Sequence, residues 1–112
     1  MTRASELRYQ KSPKGKAATR NRHLRRLYGI THKDYIARLD AQHGHCALCL
    51  RTPAEERWGV LCVDHDHNKR KEDANYVRGL LCRRHNDALN AFGDNAIGIA
   101  RVLLYVLGEP CP

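Results

Sequence analysis

Two pairs of metal-binding side chains constrain the fold of this 112-residue chain more than any other feature of its sequence. The first pair is Cys46 and Cys49, and the second is Cys82 and His85. A C-x-x-C turn brings two thiolates to one side of a corner, and two such corners supply the four tetrahedral ligands that zinc prefers. The spacing therefore predicts one structural zinc ion, bound by three sulfurs and one imidazole nitrogen. Because a core of this size is marginal by burial alone, removal of the zinc is expected to unfold it.

A disulfide framework and a thioredoxin-like redox pair are the alternatives to zinc. The chain has five cysteines, an odd number, and no apolar signal segment is readable near its amino terminus, so the thiols are expected to stay reduced inside a cell. The strand–helix alternation that surrounds a redox C-x-x-C is also missing. We interpret Cys62 as a small buried hydrophobe and Cys111 as part of a frayed end.

The excess of basic charge is confined to the first third of the chain. Residues 1–40 hold 11 Lys and Arg against 3 Asp and Glu, whereas residues 41–112 hold 9 of each class. Such a one-sided segment favours a polyanionic partner, and nucleic acid is the expected one because neutralised phosphates release condensed counterions. A solvated basic tail is the alternative. No apolar run is long enough to span a membrane, so we expect a soluble intracellular protein without a membrane partner.

The sequence divides into three parts of different character. Residues 1–16 contain lysines, Pro13 and Gly15 with few apolar side chains and are predicted to be a flexible basic arm. Residues 17–44 are predicted to be a basic helical segment, because apolar residues recur there at helical spacing among arginines. Residues 45–112 are predicted to be a zinc-stabilised core that ends in a helix.

Turn and capping signals set the boundaries of the predicted elements. The run from Thr31 to Asp34 is a capping box that opens the second helix. Periodicity and β-branched residues then predict two short strands between the zinc pairs. The last helix, begun by Asp94 or Asn95, carries an apolar stripe that we expect to close the core, with a dimer interface as the alternative. The other predicted ranges are helices 17–28, 31–44 and 83–92 and strands 60–63 and 76–81.

Acidic and imidazole side chains follow the first predicted strand in the run Asp64-His65-Asp66-His67, and Asn86 directly follows the last zinc ligand. Asp64 and Asn86 offer hard oxygen ligands suited to Mg²⁺, which needs only one or two protein side chains beside a substrate phosphate. The imidazole of His65 can accept a proton from an attacking water. Zinc binding by the whole run is disfavoured, because successive strand residues point to opposite faces. Solvated loop histidines are a further alternative.

Three segments of the predicted core form a recognisable pattern: Cys46-Ala-Leu-Cys49, Leu61-Cys-Val-Asp64-His65-Asp66-His67 and Val77-Arg-Gly-Leu-Leu-Cys82-Arg-Arg-His85-Asn86. Together they resemble the recombination endonuclease VII family of phage nucleases, part of the HNH or ββα-metal superfamily, over about residues 20–107. The resemblance implies a small α+β fold with a zinc-braced ββα-metal (HNH-like) core between helical amino-terminal and carboxy-terminal segments. It also implies an endonuclease that hydrolyses DNA phosphodiesters with Mg²⁺ or Mn²⁺ and, in its best known members, resolves Holliday junctions.

The resemblance assigns a role to each matching position of the site. It implies that Asp64 and Asn86 bind the catalytic metal and that His65 is the general base. It further implies that His67 contacts the scissile phosphate or supports the site, while Asp66 faces away.

Two positions depart from the family pattern. His85 stands where family members commonly have a cysteine, a replacement that zinc tolerates. Leu89 stands where some resolvases carry an acidic residue. Only one helix follows the nuclease motif, whereas the resemblance to junction resolvases implies a longer helical extension that intertwines two subunits. Nicking by a single subunit and junction cutting by a homodimer are therefore both open. The phage resemblance implies the cytoplasm of an infected bacterial host as the location.

Basic side chains around the motif are the predicted DNA contacts. They are expected to hold phosphates, and because few aromatic residues accompany them, base stacking and sequence specificity are not expected. The candidates are Arg20, Arg22, Arg25, Arg26, Lys69, Arg70, Arg78, Arg83 and Arg84. The alternatives to an enzyme are a non-catalytic zinc-ribbon DNA-binding module and, more distantly, a zinc-stabilised adaptor that binds proteins.

Overall fold

The computed structural model of the chain describes residues 12–110. Its elements are the helices α1 (Pro13–Tyr28), α2 (His32–Ala41), α3 (Arg83–Ala91) and α4 (Ala96–Leu107), a 3-10 turn (Pro53–Glu55), and the strands β1 (Cys62–His65) and β2 (Val77–Leu81). The predicted small α+β class is confirmed. An antiparallel hairpin of β1 and β2 leads directly into α3, which gives the order ββα. Within residues 12–110, no helix is long and apolar enough to cross a membrane.

Helix α1 begins earlier than the sequence predicts. It starts at Pro13 instead of residue 17, because the Ser12 hydroxyl accepts a hydrogen bond from the Gly15 amide at 3.1 Å and proline suits the first helical turn. The flexible arm predicted over residues 1–16 is therefore wrong for its last residues, and its residues 1–11 lie outside the described part of the chain. Gly29 ends the helix in the left-handed region, at φ 71°.

Helix α2 begins with the predicted capping box. The Thr31 hydroxyl accepts from the Asp34 amide at 3.1 Å, and the Asp34 carboxylate accepts from the Thr31 amide at 2.9 Å. One turn later Tyr35 is buried, and its hydroxyl donates to the carbonyl of Leu61 and accepts from the amide of Leu61. This double contact fixes α2 against the segment that enters β1.

The hairpin extends further along the acidic and imidazole run than predicted. The strand predicted over residues 60–63 is displaced, because β1 contains Asp64 and His65 instead of ending before them. Asp64 lies opposite Gly79 and His65 lies opposite Val77, with an irregularity of the pairing between Asp64 and His65. This register depends on the partner strand, which the apolar composition of β1 alone does not show. A bulge at this point changes the direction of the neighbouring side chains.

The side chain of Gln42 fastens the end of α2 to β2. Its Nε2 donates to the carbonyl of Leu80 at 2.9 Å, and its Oε1 accepts from the amide of Leu80 at 2.9 Å. These are the contacts that a neighbouring strand would make. Gly79 permits the approach, since a Cβ atom there would lie 3.2 Å from Gln42 Oε1. The helical segment is thereby tied to the hairpin that carries Asp64.

A small core lies where the hairpin, α1, α2 and the cysteine corners meet. Its buried members are Leu24, Tyr35, Cys46, Leu61, Val63, Val77, Leu80, Leu81 and Cys82. Two of the four predicted zinc ligands are therefore part of the core itself. Cys62 is only partly buried, so its prediction as a buried hydrophobe is wrong.

Helix α4 does not close the core, contrary to the sequence prediction. None of its residues is buried, and Leu103 and Leu107 are 58% and 62% exposed. The chain reverses direction before α4 at Gly93 and Asp94, which both have positive φ. An apolar stripe shows that a helix face favours burial, but not which surface covers it.

Candidate metal centre and active site

The four predicted zinc ligands converge at one point of the structure. Cys46 and Cys49 lie in the loop after α2, Cys82 caps α3, and His85 lies in its first turn. Their ligand atoms all lie within 4.8 Å of one another, with 3.9 Å between the sulfurs of Cys49 and Cys82. A tetrahedral zinc site with Zn–S bonds of about 2.3 Å places its sulfurs about 3.8 Å apart. The cluster could therefore hold a zinc ion.

Hydrogen bonds to the Cys46 sulfur lower the pKa of this thiol. Burial raises the pKa of the Cys46 thiol, but hydrogen bonds from the backbone of Cys82, Leu48 and Cys49 and from the His85 side chain outweigh burial and lower that pKa to about 6. The amide of Leu48 donates to the Cys46 sulfur at 3.4 Å. These contacts favour the thiolate of Cys46, the form of cysteine that binds metals, whereas burial raises the pKa of the neighbouring Cys82 thiol.

His65 and Asn86 line one cavity of about 680 Å³. His65 comes from the end of β1, and Asn86 comes from the first turn of α3, directly after the candidate zinc ligand His85. The cysteine corner therefore fixes the start of α3 against the hairpin and sets the position of Asn86. Asp64 is not among the residues that line this cavity.

Aromatic side chains surround the imidazole of His65. Tyr76 lies 5.0 Å from the His65 ring and Tyr28 lies 5.5 Å from it, both between ring centroids, and His67 stacks on the same ring. The Nδ1 atom of His65 is buried and finds no hydrogen-bond partner among residues 12–110.

The carboxylate of Asp64 is paired with Arg78. Asp64 is 7% exposed, and its two oxygens accept from Arg78 Nε at 2.7 Å and from Arg78 Nη2 at 2.8 Å. The pairing raises the pKa of the Arg78 guanidinium further above its ordinary value, so this cation is permanent. Each carboxylate oxygen retains a second lone pair. The structure thus pairs Asp64 with Arg78, whereas Asn86, the other predicted metal ligand, lines the cavity.

The other two members of the acidic and imidazole run have different surroundings. His67 is half-exposed, and its Nε2 lies 4.0 Å from a carboxylate oxygen of Asp94. The Asp66 carboxylate accepts from the Asn68 amide at 3.0 Å, which stabilises the turn after β1.

Cationic side chains line the cavity beside His65 and Asn86. Of the predicted DNA contacts, Arg20 and Arg83 belong to this lining, while Arg22 lines a separate cavity on α1. The guanidinium of Arg78 is instead engaged by Asp64 and Asp94. The remaining candidates lie outside the cavity lining: Arg25 and Arg26 in the last turn of α1, Lys69 and Arg70 exposed in the hairpin loop, and Arg84 on α3.

Several residues of the cavity were not predicted from the sequence. His23, Arg51 and Arg57 add positive or titratable groups to it, and Trp58 is an aromatic member that is 73% exposed. The guanidinium of Arg57 lies 4.9 Å from the centre of the indole ring of Trp58. The sequence signal that could have identified them is the adjacent pair Arg57 and Trp58 in a polar loop, because arginine and tryptophan side chains both stack on nucleic acid bases.

Comparisons with known proteins identify the family to which the chain belongs. The family model described as recombination endonuclease VII matches residues 21–108. The Gene 59 protein of Mycobacterium phage D29 is 32% identical over 83 residues, which are 74% of this chain and 46% of the phage protein. The chain thus spans less than half the length of that relative. No solved structure matches the chain. On the extent of the family match, the chain belongs to the recombination endonuclease VII family.

Proposed function

We propose that the chain is a metal-dependent DNA endonuclease of the HNH type, which hydrolyses phosphodiester bonds by nicking DNA. The observation that carries this proposal is that His65 and Asn86 share a cavity whose lining includes the arginines Arg20, Arg57 and Arg83. Hydrolysis of a phosphodiester requires a proton acceptor for the attacking water and cations for the phosphate charge, and this cavity offers both. Membership of the family supports a nuclease that acts on DNA in recombination.

The zinc ion in this proposal is structural. All four protein ligands are supplied by Cys46, Cys49, Cys82 and His85, so no coordination position remains for water or substrate. Two of these residues are also fully buried core members. When bound by these residues, zinc would join the loop after α2 to the start of α3, where Asn86 lies.

The catalytic metal would be Mg²⁺ or Mn²⁺, held by Asp64 and Asn86. In such a site the cation supplies charge neutralisation for the developing phosphorane oxygens and the leaving group. His65, fixed among Tyr28, Tyr76 and His67, accepts the proton of the attacking water. The half-exposed His67, whose Nε2 lies 4.0 Å from an Asp94 carboxylate oxygen, would contact a phosphate oxygen. The proposed products carry a 5′-phosphate and a 3′-hydroxyl.

Contacts to the DNA backbone give the proposed enzyme low sequence specificity. Arg20 and His23 place α1 along the cavity, and Arg51, Arg57 and Arg83 line its other sides. Two carboxylates of the lining neutralise part of this charge, because Glu56 pairs with Arg51 at 2.9 Å and Asp87 pairs with Arg83 at 3.2 Å. The remaining cations attract phosphates irrespective of the bases they carry.

A homodimer is the proposed form for cutting both strands of branched DNA, including Holliday junctions. Two opposed strands require two sites, and the exposed apolar residues of α4, among them Ile97, Leu103 and Leu107, are the surface that we assign to contact with a second copy of the chain. Light scattering on the wild type and on Leu103→Glu tests the proposed homodimer. We expect the wild type to be a dimer and Leu103→Glu to be a monomer. A monomeric wild type would contradict the proposal. The phage relative supports the cytoplasm of an infected bacterium as the place of action.

A non-catalytic zinc DNA-binding module is the second candidate function. It is favoured by the bidentate pairing of Asp64 with Arg78, which occupies the carboxylate that the enzyme requires. Such a module would bind through the same cations and cut nothing.

Incubation of the zinc-loaded protein with supercoiled plasmid separates the two functions. We expect conversion to open-circular DNA with Mg²⁺ or Mn²⁺ and none with Ca²⁺, which keeps the charge but is a poor substitute in hydrolysis. Omission of the metal is a better control than EDTA, since EDTA also removes zinc. Retention of plasmid without nicking under every metal would support the binding module.

A further inference from the structure

We propose that Asp94 is a positioning residue of this site, which holds Arg78 against Asp64 and faces His67. The inference rests on the proposed nuclease function and deepens it, because it adds a residue outside the motif segments. Asp94 lies between α3 and α4, far in sequence from the run that contains Asp64 and His67.

Hydrogen bonds connect Asp94 to both parts of the site. Nη2 of Arg78 donates to Asp64 Oδ1 at 2.8 Å and to Asp94 Oδ1 at 2.5 Å. The other oxygen of Asp94, Oδ2, lies 4.0 Å from His67 Nε2. A single guanidinium is therefore shared by two carboxylates, and the second of these carboxylates also approaches an imidazole of the site.

The local backbone directs Asp94 to this role. Asn95 caps α4 by accepting from the Gly98 amide at 2.8 Å, so the Asp94 carboxylate is not used as the cap. The amide of Asp94 donates to the carbonyl of Leu89 at 2.8 Å, and its φ is 52°, in the left-handed region. The side chain is only 12% exposed. A residue held in this conformation with a shielded carboxylate is fixed in place, unlike an acidic residue on an open surface.

A second carboxylate, that of Asp94, restrains the guanidinium of Arg78 more firmly than Asp64 would alone. Arg78 is 36% exposed, and a long side chain with one partner can leave it for water. Asp94 holds the guanidinium from a second direction, so the rotamer of Asp64 is fixed when a cation or a phosphate arrives. Residues that orient metal ligands in this way typically change metal affinity or activity by about 10–100-fold when they are replaced.

Asp94→Asn and Asp94→Gly are the test variants. Asparagine tolerates the left-handed backbone and can still accept from Arg78 without the negative charge, and glycine tolerates the same backbone without any side chain. Asp40→Asn is the matched control, because it changes the net charge equally on the exposed face of α2. Thermal melting and zinc content verify that each variant is folded.

We expect Asp94→Asn to lower kcat about tenfold and to raise the Mg²⁺ concentration for half-maximal cleavage, with unchanged DNA affinity. Asp94→Gly should have a larger effect, and Asp40→Asn none. A double variant with Arg78→Gln should cleave no more slowly than Arg78→Gln alone, because Asp94 acts through Arg78. Wild-type kcat and Mg²⁺ dependence in both Asp94 variants would overturn the inference, as would full additivity with Arg78→Gln. If the wild-type protein itself does not cut DNA, the proposed function fails instead.

Discussion

The imidazole rings of His65 and His67 stack with their centroids 4.5 Å apart and their planes at 10°. This contact joins His65, the last residue of β1, to His67 just beyond the strand, with Asp66 between them. Together with Tyr28 of α1 and Tyr76 before β2, it confines the ring that we assign as the general base. The basic helix therefore contributes to the position of the base as well as to the cationic cavity.

Replacement of Tyr28 tests whether this confinement matters for cutting. Tyr28→Ala removes a ring beside His65, and we expect a fall in kcat of roughly 10–100-fold, since small displacements of a catalytic group cost about this much. Tyr28→Phe retains the ring and should cut at nearly the wild-type rate. Single-turnover cleavage measures the rate, and fluorescence polarisation with labelled duplex measures DNA affinity. Equal rates for the two variants would show that the tyrosine ring does not position His65.

Loss of one zinc ligand should remove both the metal and the fold. Cys49→Ser leaves three ligands in a cluster that is continuous with the core, and zinc binding supplies about 10 kcal/mol or more in small zinc domains. We expect zinc-free, largely unfolded protein by metal analysis and far-ultraviolet circular dichroism. Cys62→Ser is the matched control, because Cys62 lies outside the cluster, and it should retain one zinc per chain. A folded, zinc-free Cys49→Ser variant would contradict a structural zinc.

The Tyr35 hydroxyl should contribute measurably to stability. Tyr35→Phe leaves the amide and the carbonyl of Leu61 without their buried partner, at a cost of about 1–3 kcal/mol in the free energy of unfolding. Tyr105→Phe is the control, since Tyr105 is 79% exposed and should change this free energy by no more than about 0.5 kcal/mol. Urea unfolding in excess zinc measures both. Equal midpoints for the two variants would refute the role of the buried hydroxyl.

Trp58 gives a direct optical signal of DNA at the cavity. It is the single tryptophan of the chain, it is exposed, and it lines the cavity with His65. We expect its fluorescence to be quenched as duplex or branched DNA is added in Ca²⁺, and to recover when NaCl releases the DNA. Trp58→Phe should abolish the signal and identify its source. Unchanged emission at saturating DNA would place the bound DNA elsewhere on the protein.

Local signals in the sequence predicted much of the fold. The α+β class is confirmed, the spacing of the cysteines and of His85 matches the cluster in the structure, and the Thr31 capping box opens α2 as predicted. The capping box and each ligand pair depend on residues that are neighbours in sequence, although the cluster joins two pairs whose inner members are 33 residues apart. The strand that contains Asp64 was misplaced by two residues because its register is set by β2, a partner distant along the chain.

Features that depend on distant contacts could not be predicted in the same way. From the sequence, Asp94 was predicted only as one of two residues that could cap the last helix. Its approach to Arg78 depends on the turn that follows α3. Arg78 was predicted as a DNA contact because a basic side chain beside a motif resembles a phosphate ligand until its partner Asp64 is seen. The apolar stripe of α4 indicated burial, but no residue of α4 is buried in the described part of the chain.

Single-turnover cleavage by His65→Ala tests the central proposal most directly. With zinc-loaded protein, Mg²⁺ and a labelled DNA substrate, we expect wild type to produce 5′-phosphate ends and His65→Ala to cut at least about 100-fold more slowly, as loss of a general base requires. The variant should bind the same DNA with wild-type affinity and retain its zinc. Cleavage by His65→Ala at the wild-type rate, with its zinc and DNA affinity intact, would contradict the assignment of His65 as the base.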